Sequence, residues 1–346
     1  MLAGAEKPLA VVVAGLDHGH AAGFFGRYLQ RADVRVLGVA EPNEGVRKRY
    51  FERYRLDPKI AFASVEEMLR AVRPEVVLAY TNTADHLKVV EVCAAQQLPV
   101  MMEKPLAIGQ EQALRMKQLA DRAGIPVMVN YETTWYASNA QVQSMLRDGR
   151  LGQVRKVVIH DGHQGPKEIN VPDEFFAWLT DPLKNGAGAL FDFGCYGANL
   201  MTWLMNNQRP KTVTAVTQQI KPDIYTRVDD EATIVLTYPS AQAIVQASWN
   251  WPYSRKDMEV YGTLGSARTL KTDRIALRKQ DQQEETTLDS PKLQAPYDDA
   301  IRYAAAVVRK QIPNDGLSSL ENNIVVTEIL DAARRSAASG KAIQLS

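Results

Sequence analysis

Lys104 stands at a place in the chain where a lysine side chain can act on a bound molecule. It follows a short apolar run, Leu98 to Met102, and precedes a helix-compatible segment, so it falls where a strand of an open α/β sheet would end. Crevices at the carboxyl ends of such strands bind ligands. Pro105 fixes its own φ and disfavours helix for Lys104, which predicts an ammonium presented from rigid, extended backbone. The alternative, an ordinary surface lysine at a strand end, stays open on these residues alone.

A second set of polar residues lies in a glycine-opened and otherwise apolar segment, residues 185–204. A helix that is apolar on nearly every face is buried, and burying Asp192 there would be costly without a partner. Tyr196 projects from the same face one turn later, and Asn199 follows three residues on. If Lys104 is the partner of Asp192, its ammonium would favour the phenolate of Tyr196, which ordinarily has a pKa of about 10. The alternative is an N-terminal Asp that suits the helix dipole and a core tyrosine.

The elements that would hold these residues alternate regularly in the first half of the chain. Leu9 to Ala14 is a continuous apolar run ended by Gly15, which is typical of a strand buried on both faces. Strands then alternate with helical patterns, which predicts crossover units and a parallel sheet. Further strands are predicted at 34–40, 76–79, 98–102 and 126–129, and helices at 19–31, 44–54, 85–96 and 110–123.

The second half of the chain has a different pattern. At 346 residues the chain exceeds the size at which single cores stop growing, so we expect two domains, 1–130 and 131–346. After a predicted helix at 139–147, apolar and polar residues alternate in segments joined by short turns, which predicts an antiparallel meander. The predicted strands are 154–160, 212–218, 232–238, 243–250, 258–262 and 267–270.

The composition argues against several classes of function. Lys plus Arg number 41 against 40 Asp plus Glu, with no long run of either sign, so we expect neither nucleic acid nor a membrane surface as a partner. Cys93 and Cys195 show no metal-ligand spacing, and we expect neither a disulfide framework nor a metal site. No stretch reaches about 18 uninterrupted apolar residues, and no signal-like segment opens the sequence. We expect a soluble cytoplasmic protein, or a periplasmic one if a leader has been removed.

The first strand-to-helix turn is where a dinucleotide fingerprint belongs, and it reads Gly15-Leu16-Asp17-His18-Gly19-His20. Of the three glycines of G-x-G-x-x-G only Gly15 is present. Asp17 would place a carboxylate at a helix N-terminus, where cofactor phosphates favour the positive end of the dipole. Either Asp17 caps the helix and the phosphates are slightly displaced, or the turn no longer binds a dinucleotide tightly. His18 and His20 could contact cofactor or substrate, or could only pack and cap.

Glu41 ends the second predicted strand, 26 positions after Gly15. An acid at this place accepts hydrogen bonds from a ribose diol and repels a 2′-phosphate, so we expect NAD rather than NADP as the cofactor. An ordinary exposed glutamate is the alternative, because the basic residues 47–49 could still accept a phosphate.

Three motifs complete the pattern: Thr81-Asn82-Thr83-Ala84-Asp85-His86, Glu103-Lys104-Pro105 and Asp192-Phe193-Gly194-Cys195-Tyr196. With them the chain resembles, over nearly its whole length, the Gfo/Idh/MocA oxidoreductases, the relatives of glucose-fructose oxidoreductase and inositol dehydrogenase. The resemblance implies a Rossmann domain over residues 1–130 and an α+β domain with a largely antiparallel open sheet over residues 131–346. It also implies hydride exchange between a nicotinamide cofactor and a sugar or polyol, with assembly as homodimers or homotetramers through that sheet.

The resemblance assigns roles to individual residues. Lys104, Asp192 and Tyr196 would be catalytic, and Lys104 and Tyr196 would handle the proton of the substrate hydroxyl; which of them accepts it stays open. The substrate would contact Tyr131, Trp135, His163 and Asn199. The cofactor would contact Gly15, Leu16, Asp17, His18, Glu41, Thr81, Asn82, His86, Glu103, Lys104 and Asn130.

Two other functions fit the same motifs. A lyase or glycosidase that retains NAD and oxidises its sugar transiently could use the same lysine and tyrosine, and net release of NADH separates it from a dehydrogenase. A non-catalytic ligand-sensing protein on the same fold is suggested by Asp17 and the missing glycines. The interpretation that explains most of the motifs is an NAD-dependent dehydrogenase of a sugar or polyol.

Overall fold

The computed structural model describes residues 7–345, and its first layer is a parallel sheet. The strands are β1 (Leu9–Ala14), β2 (Val34–Ala40), β3 (Ala61–Phe62), β4 (Val76–Ala79), β5 (Val100–Glu103) and β6 (Val127–Asn130). They lie in the order β3-β2-β1-β4-β5-β6. This is the strand order of a Rossmann fold, whose ligands bind at the carboxyl ends of the strands. Every residue of β1 is buried, as expected of a strand covered on both faces.

Five helices form the crossovers of this sheet. They are α1 (His20–Tyr28), α2 (Glu44–Tyr54), α3 (Val65–Ala71), α4 (His86–Ala95) and α5 (Gln110–Ala123). Their ends follow local chemistry: the Asn43 side chain caps the first turn of α2, and Gly124 ends α5 with a φ of 65°. The sequence predicts these elements to within a few residues at each end.

The second layer is a nine-stranded mixed sheet. Its strands are β7 (Val154–Gly162), β8 (Thr212–Gln218), β9 (Glu231–Thr237), β10 (Gln242–Ser248), β11 (Arg255–Gly262), β12 (Gly265–Lys271), β13 (Arg274–Lys279), β14 (Thr286–Asp289) and β15 (Ile343–Gln344). They lie in the order β14-β13-β12-β11-β7-β10-β9-β8-β15. The pair β7–β10 is parallel and the other registered pairs are antiparallel.

The expected plain meander is therefore wrong in one respect, because β7 inserts between β10 and β11. The sequence pattern predicts that β7 is a strand, but it does not indicate which strands pair with it. Strands β13 and β14 were also not predicted; most residues of β14 are exposed, so it lacks the apolar alternation on which strand prediction depends.

Seven further helices belong to the second half of the chain: α6 (Ala137–Arg147), α7 (Asp173–Leu179), α8 (Pro182–Asn185), α9 (Ala189–Asp192), α10 (Gly194–Leu204), α11 (Ala300–Val308) and α12 (Leu320–Ser339). Helices α10 and α12 pack on each other and on the second sheet. The single helix expected over 185–204 is divided, with Phe193 between α9 and α10. Gly197 lets α10 approach the sheet closely, because a Cβ there would lie 2.3 Å from Val245.

Helix α11 returns to the first sheet. Its buried residues share a hydrophobic cluster with β1 and α1, whereas the second sheet, α10 and α12 belong to the other large cluster. Within residues 7–345, no helix combines the length and apolarity needed to cross a bilayer.

Candidate active site

The carboxyl end of β5 faces the junction of α9 and α10, and a buried ion pair joins them. The Lys104 ammonium contacts the Asp192 carboxylate and donates to the Asp192 carbonyl oxygen at 3.0 Å. Trp249 Nε1 donates to the second carboxylate oxygen at 2.9 Å. Both members of the pair are buried. The partner that the sequence argument required for Asp192 is therefore Lys104, as proposed, together with Trp249, which the sequence argument missed.

The pair keeps both of its charges. Burial alone would lower the pKa of Lys104, but the attraction of the Asp192 carboxylate outweighs it and the pKa is raised. Burial alone would raise the pKa of Asp192, and the Lys104 charge and hydrogen bond lower it instead. The ammonium is thus a fixed, preorganised positive charge at the end of the sheet.

Tyr196 lies between two ammonium groups. Lys104 Nζ is 5.2 Å and Lys256 Nζ 4.6 Å from the centroid of its ring. The nearby ammonium groups nevertheless do not lower the net pKa of Tyr196: it is raised well above its ordinary value, first by burial and then by the charge of Glu132. Tyr196 therefore carries its proton in this structure and is a hydrogen-bond donor.

These groups line one cavity of about 260 Å³, which we call the substrate cavity. Lys104, Asp192 and Tyr196 lie on its wall together with His163 from the end of β7 and Lys256 from β11. His163 Nδ1 accepts a hydrogen bond from the Gly165 amide at 2.9 Å. Burial lowers the pKa of His163, so its ring is neutral in the physiological range and its Nε2 carries the proton.

Lys256 is a functional candidate that the sequence reasoning missed, whereas Asp161 was considered for substrate contact only as part of the strand end that includes His163. They are partners in the β7–β11 register, and Lys256 Nζ pairs with Glu132. Asp161 is buried with no hydrogen-bond partner for either carboxylate oxygen, and burial raises its pKa well above the ordinary value. The only sequence signal was that Asp161 lies two residues before His163 in one strand end, where alternate side chains share a face.

The first strand-to-helix turn is locked to the end of β2. Gly15 has a φ of 83°, and a Cβ there would lie 2.6 Å from the Thr81 methyl group. The Glu41 carboxylate is buried and accepts hydrogen bonds from the amides of Leu16 at 2.7 Å and Asn43 at 2.8 Å. Burial raises the pKa of Glu41 even so. A backbone cradle that only glycine allows, beside a buried acid, fits a dinucleotide site.

Asp17 has an unused oxygen in the same turn. Asn82 Nδ2 donates weakly to Asp17 Oδ2 at 3.4 Å, whereas Oδ1 is buried without a partner. Burial, and next the charge of Glu41, raises the pKa of Asp17 to about 7. Near neutral pH the carboxyl is therefore often protonated, and a neutral carboxyl can donate a hydrogen bond to a phosphate oxygen instead of repelling it. A protonated Asp17 would be compatible with a cofactor phosphate, unlike the ionised carboxylate considered from the sequence.

NADH binding should accordingly weaken as the pH rises through about 7. Asp17 must be protonated to donate, so we expect the Kd to rise up to about tenfold for each pH unit above the pKa. Fluorescence titrations from about pH 6 to about pH 8 measure the slope. In Asp17→Asn the side chain is neutral throughout and the slope should vanish; an unchanged slope in this variant would assign the titration to another group.

Glu103, the last residue of β5, is the centre of a hydrogen-bond network at the carboxyl end of the first sheet. His20 Nδ1 lies 2.9 Å from one carboxylate oxygen, Asn130 Nδ2 donates to the other at 3.0 Å, and Trp135 Nε1 donates to Asn130 Oδ1 at 3.0 Å. These four residues line a cavity of about 230 Å³, and His20 lines the substrate cavity as well. The sequence analysis left open whether His20 contacts cofactor or substrate or only packs, and the structure places it on the walls of both cavities.

Several predicted site residues do not line the substrate cavity. Asn199 donates to the Leu317 carbonyl at 2.8 Å, and Tyr131 donates to Asn323 at 2.9 Å. Both are buried and neither lines the substrate cavity, so their contact with substrate stays a prediction. Tyr131 instead packs edge-on against Tyr196. His86 is also buried, with Nδ1 3.1 Å from the Leu106 carbonyl and Nε2 without a partner among the described residues, so its contact with the cofactor stays a prediction.

His18 lies beneath α7. Its ring packs against Phe175 and Trp178, and Trp178 Nε1 donates to the Asp17 carbonyl at 3.0 Å. Burial lowers the pKa of His18 well below its ordinary value. His18 thus connects the glycine turn to the second half of the chain, and Thr81, whose hydroxyl donates to the Asn82 carbonyl, completes the strand end beside it.

Comparison with known proteins agrees with this architecture. Residues 9–131 match the model of an oxidoreductase family with an NAD-binding Rossmann fold, GFO_IDH_MocA, and residues 139–268 match a GFO/IDH/MocA C-terminal domain. The chain belongs to the GFO/IDH/MocA oxidoreductase family. This confirms the resemblance, the enzyme class and the fold inferred from the sequence.

Relatives in this family act on hydroxyl compounds. The chain is 27% identical over 247 residues to a trans-1,2-dihydrobenzene-1,2-diol dehydrogenase of Sus scrofa, covering 70% of this chain and 68% of the relative. An inositol dehydrogenase homologue of Azotobacter vinelandii, solved with NAD⁺, superimposes with a TM-score of 0.85 at 18% identity over the whole of both chains. An aldose-aldose oxidoreductase of Caulobacter crescentus, solved with glycerol, gives 0.82 at 20% identity over 98% of this chain and all of that one.

Proposed function

We propose that this GFO/IDH/MocA protein transfers a hydride between NAD and a CH–OH group of a sugar or polyol. The observation that carries the proposal is the buried ammonium of Lys104, held by Asp192 beside the ring of Tyr196 in one cavity at the carboxyl end of β5. Such a charge stabilises the oxygen of an alcohol as its proton leaves. A role in stability alone would not require a cavity at this point.

The chain offers a consistent set of residues to hold NAD. Gly15, Leu16 and Asp17 would face the phosphates, and Glu41 would face the adenosine ribose. Asn82, in the loop that follows β4, would also contact the cofactor. Glu103 and Asn130 lie nearer to Lys104, on the nicotinamide side. When bound, NAD supplies the acceptor of the hydride.

Glu41 supports NAD over NADP. Its carboxylate is buried at the end of β2, where a 2′-phosphate would meet like charge. Arg47, one of the basic residues that could have accepted that phosphate, donates to the Glu41 carbonyl oxygen. One of the three cations is thereby already engaged.

The proton of the substrate hydroxyl would be handled by Lys104 and Tyr196. In the direction of reduction, the neutral phenol of Tyr196 gives its proton to the carbonyl oxygen of the substrate, and the two nearby ammonium groups stabilise the phenolate that remains. In the direction of oxidation the same oxygen accepts the proton. Lys104 stays charged throughout because Asp192 raises its pKa, so it stabilises charge and is not the base.

The polar walls of the substrate cavity suit a compound with several hydroxyls. His163 Nε2 offers a donor and Lys256 offers a cation. Asp161, which does not line the cavity, lies opposite Lys256 in the β7–β11 register. Trp135, beside Asn130, presents an aromatic edge to the neighbouring cavity. The printed names of the relatives, a diol dehydrogenase, an inositol dehydrogenase homologue and an aldose-aldose oxidoreductase, agree with this class.

In this proposal, residues 1–130 form the domain that binds the cofactor, and residues 131–346 form the domain that binds the substrate and forms the oligomer. We propose a homodimer or homotetramer formed through the second sheet. In β9 and β10, buried residues alternate with half-exposed ones, so the sheet has a second face that α10 and α12 leave partly open. Measurement of mass in solution tests this assembly.

The function is tested by titrating the protein with NADH and with NADPH and by incubating it with NAD⁺ and a panel of inositols, aldoses and vicinal diols. We expect NADH to bind at least about tenfold more tightly than NADPH, since like charge at the ribose costs roughly 1 kcal/mol or more. At least one panel member should yield free NADH. Sugar conversion without NADH release would favour a NAD-retaining lyase, and binding of neither nucleotide would contradict the proposal.

A further inference from the structure

A larger cavity of about 720 Å³ lies apart from the substrate cavity, and we call it the outer cavity. It is enclosed by α6, the segment 291–297 and the turn 315–318, which the chain brings together where α11 returns to the first sheet. Its lining includes none of Lys104, Asp192 or Tyr196. Its volume falls within the range of about 300–1,000 Å³ that is typical of small-molecule sites.

The walls of the outer cavity are rich in aromatic side chains. Trp135 and Trp203 contribute indoles, and Tyr297 and Tyr303 contribute phenols. Tyr303 is fixed from behind, because its hydroxyl donates to the Asp315 carbonyl at 3.0 Å and its ring packs against Trp135. Rigid aromatic faces of this kind bind planar rings by stacking and by burial of apolar surface.

The rim of the outer cavity is basic. Arg147 and Arg150, at and just after the end of α6, and Lys292 in the facing segment are exposed, against one lining acid, Asp315. Arg147 lies 3.7 Å from Asp148, an exposed pair that contributes little and leaves the guanidinium accessible. The cations come from two segments that face one another across the opening, so they favour an anionic group there.

The lining also contains unused polar groups. The hydroxyls of Thr134 and Ser318 are buried without a hydrogen-bond partner among the described residues. Buried hydroxyls are almost always satisfied in native proteins, and ordered water commonly completes them.

We propose that the outer cavity is a second ligand site, distinct from the substrate cavity, for a planar aromatic molecule that carries an anionic group. Aromatic walls hold the ring and the basic rim holds the anion. Trp135 also lines the cavity that contains Glu103 and Asn130 and donates to Asn130. A ligand against Trp135 therefore contacts a residue of the network that faces the cofactor side.

The test is calorimetric titration with 1-naphthoate as the probe and neutral 1-naphthalenemethanol as its uncharged counterpart. We expect one saturable site for the anion and binding at least about tenfold weaker for the alcohol, since charge-assisted hydrogen bonds are lost. Arg147→Gln combined with Arg150→Gln should weaken 1-naphthoate by at least about tenfold while the affinity for the alcohol stays the same. The matched control is Arg70→Gln combined with Arg122→Gln, two exposed arginines in last helical turns that line none of the cavities described above.

A second variant locates the probe. Trp203→Leu should weaken both compounds, and saturating NADH should displace neither. Binding that survives in the Arg147 and Arg150 variant, an absence of saturable binding, or displacement by NADH would each overturn the proposal. None of these outcomes depends on turnover, so the result is independent of the proposed dehydrogenase activity.

Discussion

Lys104→Met is expected to lower kcat/KM by at least about a thousandfold. A buried carboxylate holds the ammonium in place in the substrate cavity, and loss of one such preorganised group typically costs about 10²–10³ in rate before misplacement of substrate is added. The same change leaves Asp192 buried without its partner, which should lower the free energy of unfolding by about 3–5 kcal/mol. Steady-state kinetics and urea denaturation measure the two effects.

A double variant separates catalysis from stability. Lys104→Met with Asp192→Asn replaces the charged pair by neutral groups, and the amide oxygen of the new side chain can still accept the hydrogen bond from Trp249. We expect most of the lost stability to return and the activity to stay lost. A stable double variant that retains activity within about tenfold of the wild type would contradict the role of the lysine in the reaction.

Tyr196→Phe is expected to lower kcat by about 10²–10⁴-fold while changing stability by about 1 kcal/mol or less. The substitution removes the proton donor but keeps the ring, which packs against Tyr131 and Phe193. Because the pKa of Tyr196 is raised well above its ordinary value, kcat/KM for reduction, which needs the phenol, should show no alkaline limb near neutral pH, whereas kcat/KM for oxidation, which needs the phenolate, should rise with pH. The pH profile checks this sign.

Tyr131→Phe is the matched control, since it removes a hydroxyl from the neighbouring buried tyrosine. That hydroxyl donates to Asn323 and does not reach the substrate cavity. We expect a loss of about 1 kcal/mol of stability and activity within a few-fold of the wild type. Equal activity losses in the two variants would mean that Tyr196 acts only through packing.

The sequence was most informative where one physical rule decided the outcome. Continuous apolar runs between helical patterns predicted the parallel sheet, because only strands buried on both faces read that way. The cost of burying Asp192 predicted a cationic partner, and the position of Lys104 at a strand end identified it. Motif resemblance then supplied the family, which composition alone could not.

Burial was the quantity that the sequence could not provide. Tyr131, His86 and Asn199 have residue types suited to a site, yet each has a hydrogen-bonding contact with a distant backbone or side-chain group that no local pattern reveals. The protonation of Asp17 and Tyr196 also depends on burial, so the sequence argument could give neither the direction in which the pKa of Tyr196 shifts nor the charge of Asp17 near a phosphate. The position of β7 between β10 and β11 also could not be predicted, because it depends on pairing between strands that are far apart in the sequence.

The most direct test of the central claim is transfer of deuterium from a substrate carbon to the cofactor. The active compound from the panel, deuterated at each CH–OH carbon in turn, is incubated with the protein and NAD⁺, and the nicotinamide is examined by mass spectrometry. We predict that one labelled position delivers its deuterium to the C4 carbon of the nicotinamide, and that Lys104→Met with Asp192→Asn delivers none. Conversion of the compound with no deuterium in the nicotinamide at any time would contradict hydride transfer at this site.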